Sequence, residues 1–188
     1  LRDAFREAFD TEACMVDSSL DPRSCRTAAV AALVSIRPLV PYVFRSYQLP
    51  PGSKSYFQGS ASFQWIEAMR ASSAAPYFFE EFCCRGLRFQ DGAIVANNPT
   101  VIAVHEAQSL FPGRPLELVV SVGTGKGPEE RREVRRSGGW GLIDTFGEYM
   151  VECATSPDRV DEVVNVLAPL IPDTSFFRLQ VEDARCTI

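Results

Sequence analysis

The run Phe89-Gln-Asp-Gly-Ala-Ile-Val-Ala-Asn-Asn-Pro-Thr100 decides the fold of this 188-residue chain. Its left half closes a strand, its right half opens a helix, and an Asp-Gly step joins the two. Upstream, Phe78 to Ala93 reads as a hairpin that turns near Arg85-Gly86. Downstream, Asn97 or Asn98 supplies a helix cap. Pro99 stands near the first helical position, where its missing N–H costs nothing. The helix is expected to run to about Leu110 and to stop before Pro112-Gly113. Leu116 to Val122 then reads as a buried strand that ends in a tight loop at Gly123 to Gly127.

The same punctuation extends in both directions. Thr27 to Ile36 is small and apolar without alternation, which fits a strand buried on both faces, as in a parallel sheet. Its alanines alone would also allow a helix. Val43 to Tyr47 reads as a strand, and Leu49 to Gly59, with two prolines and two glycines, as a loop. Phe63, Ile66, Met69 and Arg70 are helically spaced, with Ser62 as the expected cap and Pro76 as the stop. Leu1 to Phe9 and Asp144 to Leu170 read as helical, and Phe176 to Val181 as a last strand. Alternating strands and helices make the class α/β.

Composition narrows the function. Hydrophobic residues are 46% and charged residues 23%, a balance that builds a core and excludes disorder. Nineteen basic and 24 acidic residues leave a net charge of −5, so nucleic acid is not an expected partner. Thr27 to Ile36 is the longest uncharged apolar run, well short of the roughly 20 residues that cross a bilayer. Six cysteines lack metal spacing and only His105 could assist them, so neither a metal nor a cofactor is expected. They are expected to be reduced, buried thiols of an intracellular protein. The chain starts at Leu1 inside an amphipathic pattern and looks cut there.

Short motifs need weighing one by one. Ser121-Val-Gly-Thr-Gly-Lys-Gly127 misses both the early glycine of a phosphate-binding P-loop and its closing Ser or Thr. It reads better as a strand-to-loop turn. No serine has the two flanking glycines of a nucleophile elbow, G-x-S-x-G. His105 falls inside a helix, where a surface or boundary role outweighs a catalytic one. Arg70 is expected to meet a carboxylate in the core. Phe78, Phe79 and Phe82 are expected to pack in the core rather than line an apolar channel. Arg131, Arg132, Arg135 and Arg136 interleave with Glu129, Glu130 and Glu133, so a solvated loop outweighs contact with anionic headgroups. By spacing alone, Asp91-Gly92 is an ordinary turn.

The surrounding text changes the weight of Asp91. Trp65-Ile-Glu-Ala-Met-Arg-Ala-Ser-Ser-Ala-Ala-Pro-Tyr-Phe-Phe79 resembles the helix-to-loop block of patatin-like phospholipases. Phe89 to Thr100 resembles that family's aspartate block, and Ser121-Val-Gly-Thr-Gly125 its strand-end glycine turn. Val43-Phe-Arg-Ser-Tyr47 and Pro172-Asp-Thr-Ser-Phe176 look most like its calcium-independent phospholipase A2 gamma branch. The resemblance covers essentially the whole chain and is weakest over Leu1–Arg26 and Glu129–Ala168.

It implies a patatin-like three-layer sandwich, a modified α/β-hydrolase-like sheet. Residues 1–188 would form the C-terminal portion of one such domain, with the N-terminal part missing. It also implies a Ser-Asp dyad that hydrolyses a phospholipid or neutral lipid ester without calcium, cofactor or histidine. Asp91 takes the position of the catalytic base and Gly92 supports the motif. The elbow serine and the glycine-rich oxyanion loop would lie upstream of Leu1, so this chain alone is expected to be inactive and poorly soluble. An intracellular, peripheral membrane location follows from the substrate. The alternative is a patatin-like scaffold without a nucleophile that binds lipid or a partner. A small-molecule-binding α/β domain with chance motif matches ranks third.

Overall fold

A computed structural model describes Glu7 and residues 13–126, 158–171 and 173–186. The chain divides into two compact units, Leu1–Gly113 and Arg114–Ile188. The expected helix over Leu1–Phe9, apart from Glu7, lies outside the described residues, as do the arginine cluster and Asp144 to Pro157.

In the first unit, strands β1 (Ala28–Leu33), β2 (Val40–Arg45), β3 (Gln58–Ser60), β4 (Phe82–Cys84) and β5 (Leu87–Asp91) form one sheet in the order β3-β2-β1-β5-β4. The apolar run around β1 is a strand, and Ala31, Ala32 and Leu33 are buried in succession, as a central strand requires. The parallel expectation is corrected. β1 runs antiparallel to both neighbours, pairing Ala28 with Arg45 and Ala31 with Asp91. Only β2 and β3 are parallel here. The sheet is therefore mixed: the short β1–β2 link allows an antiparallel return, whereas a parallel pair needs a crossover.

Helices α1 (Trp65–Ser72), α2 (Ala93–Ala96) and α3 (Thr100–Leu110) complete this unit. The α1 cap is Gln64, not Ser62: the Gln64 N–H donates to the Glu67 carboxylate at 2.9 Å, while Ser62 donates its own N–H to Ser60 Oγ. A glutamate three residues on decides the helix start. The hairpin turn falls at Arg85 (φ 52°) and Gly86 (φ 75°), two left-handed residues that match the right-handed twist of the strands. The α3 cap is Pro99, not Asn97 or Asn98: Asn97 closes α2, and the Asn98 side-chain oxygen accepts the Thr100 N–H at 3.2 Å from the turn before the cap.

The core lies on one side of the sheet. Tyr42, Phe44, Phe63 and Phe89 form a ring cluster with centroids 4.9–6.2 Å apart, flanked by Met15 and Ala68. Tilted and edge-on contacts favour such packing beyond the area buried. Phe82 is buried as expected, but Phe78 and Phe79 are exposed, at 78% and 45%. Among the described residues Arg70 meets no core carboxylate; its guanidinium lies 4.5 Å over the Phe82 ring. The thiols also depart from expectation. Cys25 and Cys83 are exposed and Cys14, Cys84 and Cys186 are partly buried, all unbridged. Burial and the Glu67 carboxylate push the Cys84 thiol up to about 11.

α3 is fastened to the sheet by charge. Arg45 grips Glu106 with two bonds, Nε to Oε2 at 2.6 Å and Nη2 to Oε1 at 2.8 Å, with both side chains buried. Tyr47 and Ser55 also donate to the same carboxylate. Burial would raise the Glu106 carboxyl, but Arg45, Ser55 and Tyr47 outweigh it and hold it below its ordinary value.

In the second unit, β6 (Leu118–Val122) and β7 (Ser175–Leu179) pair in parallel, with α4 (Asp158–Leu167) between them in sequence. Here the reading of Leu116 to Val122 as a buried strand is corrected. Exposure alternates along β6, with Leu118, Val120 and Val122 all more than half exposed. Gly123 and Gly125 form the expected turn. The space a Gly123 side chain would take is filled by Gln180 and Arg178, and Gly125 has φ 105°.

Breaking the Arg45–Glu106 pair leaves a buried charge uncompensated, so Glu106→Ala is expected to cost about 3–5 kcal/mol at neutral pH. The depressed carboxyl fixes the pH sign. Its contribution is complete above the ordinary carboxylate range and is lost as pH falls through the folded value. Urea unfolding of wild type and variant should therefore give a gap that closes in acid. A gap independent of pH would show that the charge is not what holds α3.

Candidate active site

Asp91 ends β5 at the centre of unit one, and three segments meet around it. Its N–H donates to the Ala74 carbonyl at 3.0 Å, and the next N–H, from Gly92, donates to Ser72 O at 3.3 Å. The turn after α1 is thus sewn to the strand end. One carboxylate oxygen of Asp91 accepts the Ala93 N–H at 2.8 Å, which holds the side chain over the start of α2. Asp91 is itself only partly buried.

Gly92 is fixed by close approach rather than by unusual dihedrals. Its φ of −61° and ψ of −23° are ordinary helical values. A Cβ there would overlap the Val30 carbonyl oxygen of β1. The same carbonyl accepts the Ser72 hydroxyl at 2.8 Å. Val30 O, Ser72 and Gly92 therefore form one tight junction beneath the aspartate. Sequence reading did not single out Ser72 within the Trp65–Phe79 block, because nothing local tells that its hydroxyl meets β1. Its hydroxyl is engaged in this structural bond.

Asp91 and Gly92 border a cavity of about 600 Å³. Its other walls come from β1, α2 and α3, mostly as small apolar side chains such as Ala28, Ala93, Ala96 and Ala103. A carboxylate beside an apolar recess of this size suits a substrate with one polar reacting group and an apolar tail. His105 does not line it. Its Nε2 accepts the Tyr56 N–H at 2.9 Å, which leaves the ring proton on Nδ1, and the ring packs edge-on against Phe57. The boundary reading of His105 therefore holds. Among the described residues, no group of three or more His, Cys, Asp or Glu is placed to hold a metal ion. No described helix is long and apolar enough to cross a membrane.

Residues 20–104 match the family model for patatin-like phospholipases, so the match contains the whole Asp91 junction. Phospholipase A I of Arabidopsis thaliana is 38% identical over 186 residues, covering 84% of this chain and 14% of its own length. Calcium-independent phospholipase A2-gamma of Oryctolagus cuniculus is 36% identical over 166 residues, covering 87% of this chain and 20% of its own. The Homo sapiens protein of that name is 35% identical over the same shares. The chain thus spans about a fifth or less of the length of these relatives.

Gly92→Ala is expected to force β1 and β5 apart and to cost about 1–3 kcal/mol, the usual penalty for overpacking. Chemical unfolding checks this. An unchanged midpoint would show that the Val30 carbonyl can retreat without loss.

Proposed function

The family match over residues 20–104, with relatives 35–38% identical over 84–87% of the chain, places it in the patatin-like phospholipase family, and on that premise we propose that its domain hydrolyses acyl esters of lipids with Asp91 as general base. The observation that carries this reading is the position of Asp91 at a strand end, on the rim of an apolar cavity of about 600 Å³. A serine hydroxyl is a weak nucleophile until a base removes its proton. In this reading the serine is contributed from outside the 188 residues. None of the chain's own serines stands in an elbow, and Ser72 is tied to Val30 O.

The chemistry runs through an acyl-serine. Asp91 takes the hydroxyl proton as oxygen attacks the ester carbonyl, and the alcohol portion leaves with that proton. Water then attacks the acyl-serine and gives a proton to Asp91, which passes it to the departing serine oxygen as the fatty acid is released, restoring hydroxyl and carboxylate. The bond from the Ala93 N–H holds one carboxylate oxygen in place and leaves the other for the proton. Backbone N–H donors outside this chain would hold the oxyanion. The relatives' names give the substrate class, phospholipids, and the calcium independence of the gamma enzymes. A substrate held in a bilayer or micelle would bring the domain to that surface as a peripheral protein.

The test uses the full-length protein. Asp91→Asn is expected to lower release of fatty acid from phosphatidylcholine by roughly 10²–10⁴, the range for a lost general base. The variant should keep the wild-type melting temperature within a few degrees. Full turnover in a folded Asp91→Asn protein would remove Asp91 from the mechanism and favour a binding scaffold.

A further inference from the structure

A second cavity, about 480 Å³, adjoins the Asp91 cavity and shares four lining residues with it: Arg26, Tyr47, Leu110 and Phe111. The two walls differ in chemistry. The Asp91 side is alanine-rich, whereas Asp17, Ser19 and Gln48 bring polar groups to the other side. Arg26 stands where they meet, two residues before β1, whose Ala31 lies opposite Asp91. Five residues of extended chain separate Arg26 from Ala31, a span of about 17 Å at most.

Other charges around these cavities are already engaged. Glu106 is held by Arg45, Tyr47 and Ser55. Asp17 accepts the Cys14 N–H at 2.9 Å. Arg26 is exposed and makes no hydrogen bond or ion pair among the described residues. A guanidinium on the rim of an apolar recess, with no internal partner, presents a planar donor fork suited to a phosphate.

We propose that Arg26 anchors the headgroup phosphate of a phospholipid whose acyl ester lies beside Asp91. The inference rests on the hydrolase reading of Asp91 and assigns a residue of this chain to the phosphate of its substrate. The acyl chain lies along the alanine-lined wall. The phosphate meets Arg26 at the junction, and the rest of the headgroup enters the polar cavity. Asp17 is the carboxylate there, and a backbone N–H on its Oδ2 leaves its negative charge in place, so a cationic headgroup such as choline fits better than an anionic one.

Two measurements on the full-length protein test this. In turnover, Arg26→Ala should lower the ratio of phosphatidylcholine to monoacylglycerol hydrolysis by roughly tenfold, as for a lost charge-assisted contact. Arg26→Lys should restore part of it. An equal loss on both substrates in a folded variant, or no loss on either, overturns the proposal. In binding, an Asp91→Asn background removes turnover and so separates this claim from the hydrolase reading. There, Arg26→Ala should weaken lysophosphatidylcholine about tenfold and monoacylglycerol far less. Equal affinities for lysophosphatidylcholine with and without Arg26 overturn it. Inorganic phosphate bound as tightly as the lysolipid would mark a free-anion site and overturn the headgroup assignment.

Discussion

The Val30 carbonyl is the point on which the site depends. It accepts the Ser72 hydroxyl and leaves no room for a side chain at residue 92. Three separate segments, β1, the end of α1 and the β5–α2 step, are brought into contact at this single oxygen. The Ala74 and Ser72 carbonyls complete the stitching from the other side. Asp91 is therefore placed by backbone, not by the packing of its own side chain. A residue held in this way keeps its direction even while its carboxylate stays partly open to water.

A second constraint works at longer range. The Arg45–Glu106 pair ties α3 to β2, and α3 forms the far wall of the Asp91 cavity. Burying two charges brings little net stability over an apolar pair, but it punishes misplacement of either partner. Tyr47, which also donates to Glu106, lines both cavities. Burial first, and then the Glu106 carboxylate, raise its hydroxyl, so it remains a donor at any physiological pH. Wall, clamp and cavity junction thus share one hydrogen-bond network.

What could be read from the sequence was what depends on neighbouring residues. The Arg85-Gly86 turn and the β1 run carry local signals, and each is found where its residues stand. The cap of α3 falls on Pro99 rather than on Asn97 or Asn98. Direction of pairing is not local. An apolar run such as Ala28–Leu33 says that both faces are covered, but not which way its neighbours point. The cap of α1 moved from Ser62 to Gln64 because Glu67 could reach back to it, a reciprocal contact that residue preference alone does not resolve. Asp91 became a candidate through the family blocks around it, since its Asp-Gly step alone is common. Ser72 and the Arg45–Glu106 clamp had no sequence signal, because each joins residues distant in the chain.

The register of β1 against β5 also has a kinetic side. β1–β2 and β4–β5 pair between strands close in sequence, so both can form early. The Ala31–Asp91 pairing joins these two hairpins across a long intervening stretch of chain, and its loop-closure entropy must be met before any contact rewards it. The cavity beside Asp91 therefore does not exist in either hairpin alone. It arises only when they dock, which makes assembly of the site a late, non-local event in folding and ties its appearance to completion of the sheet.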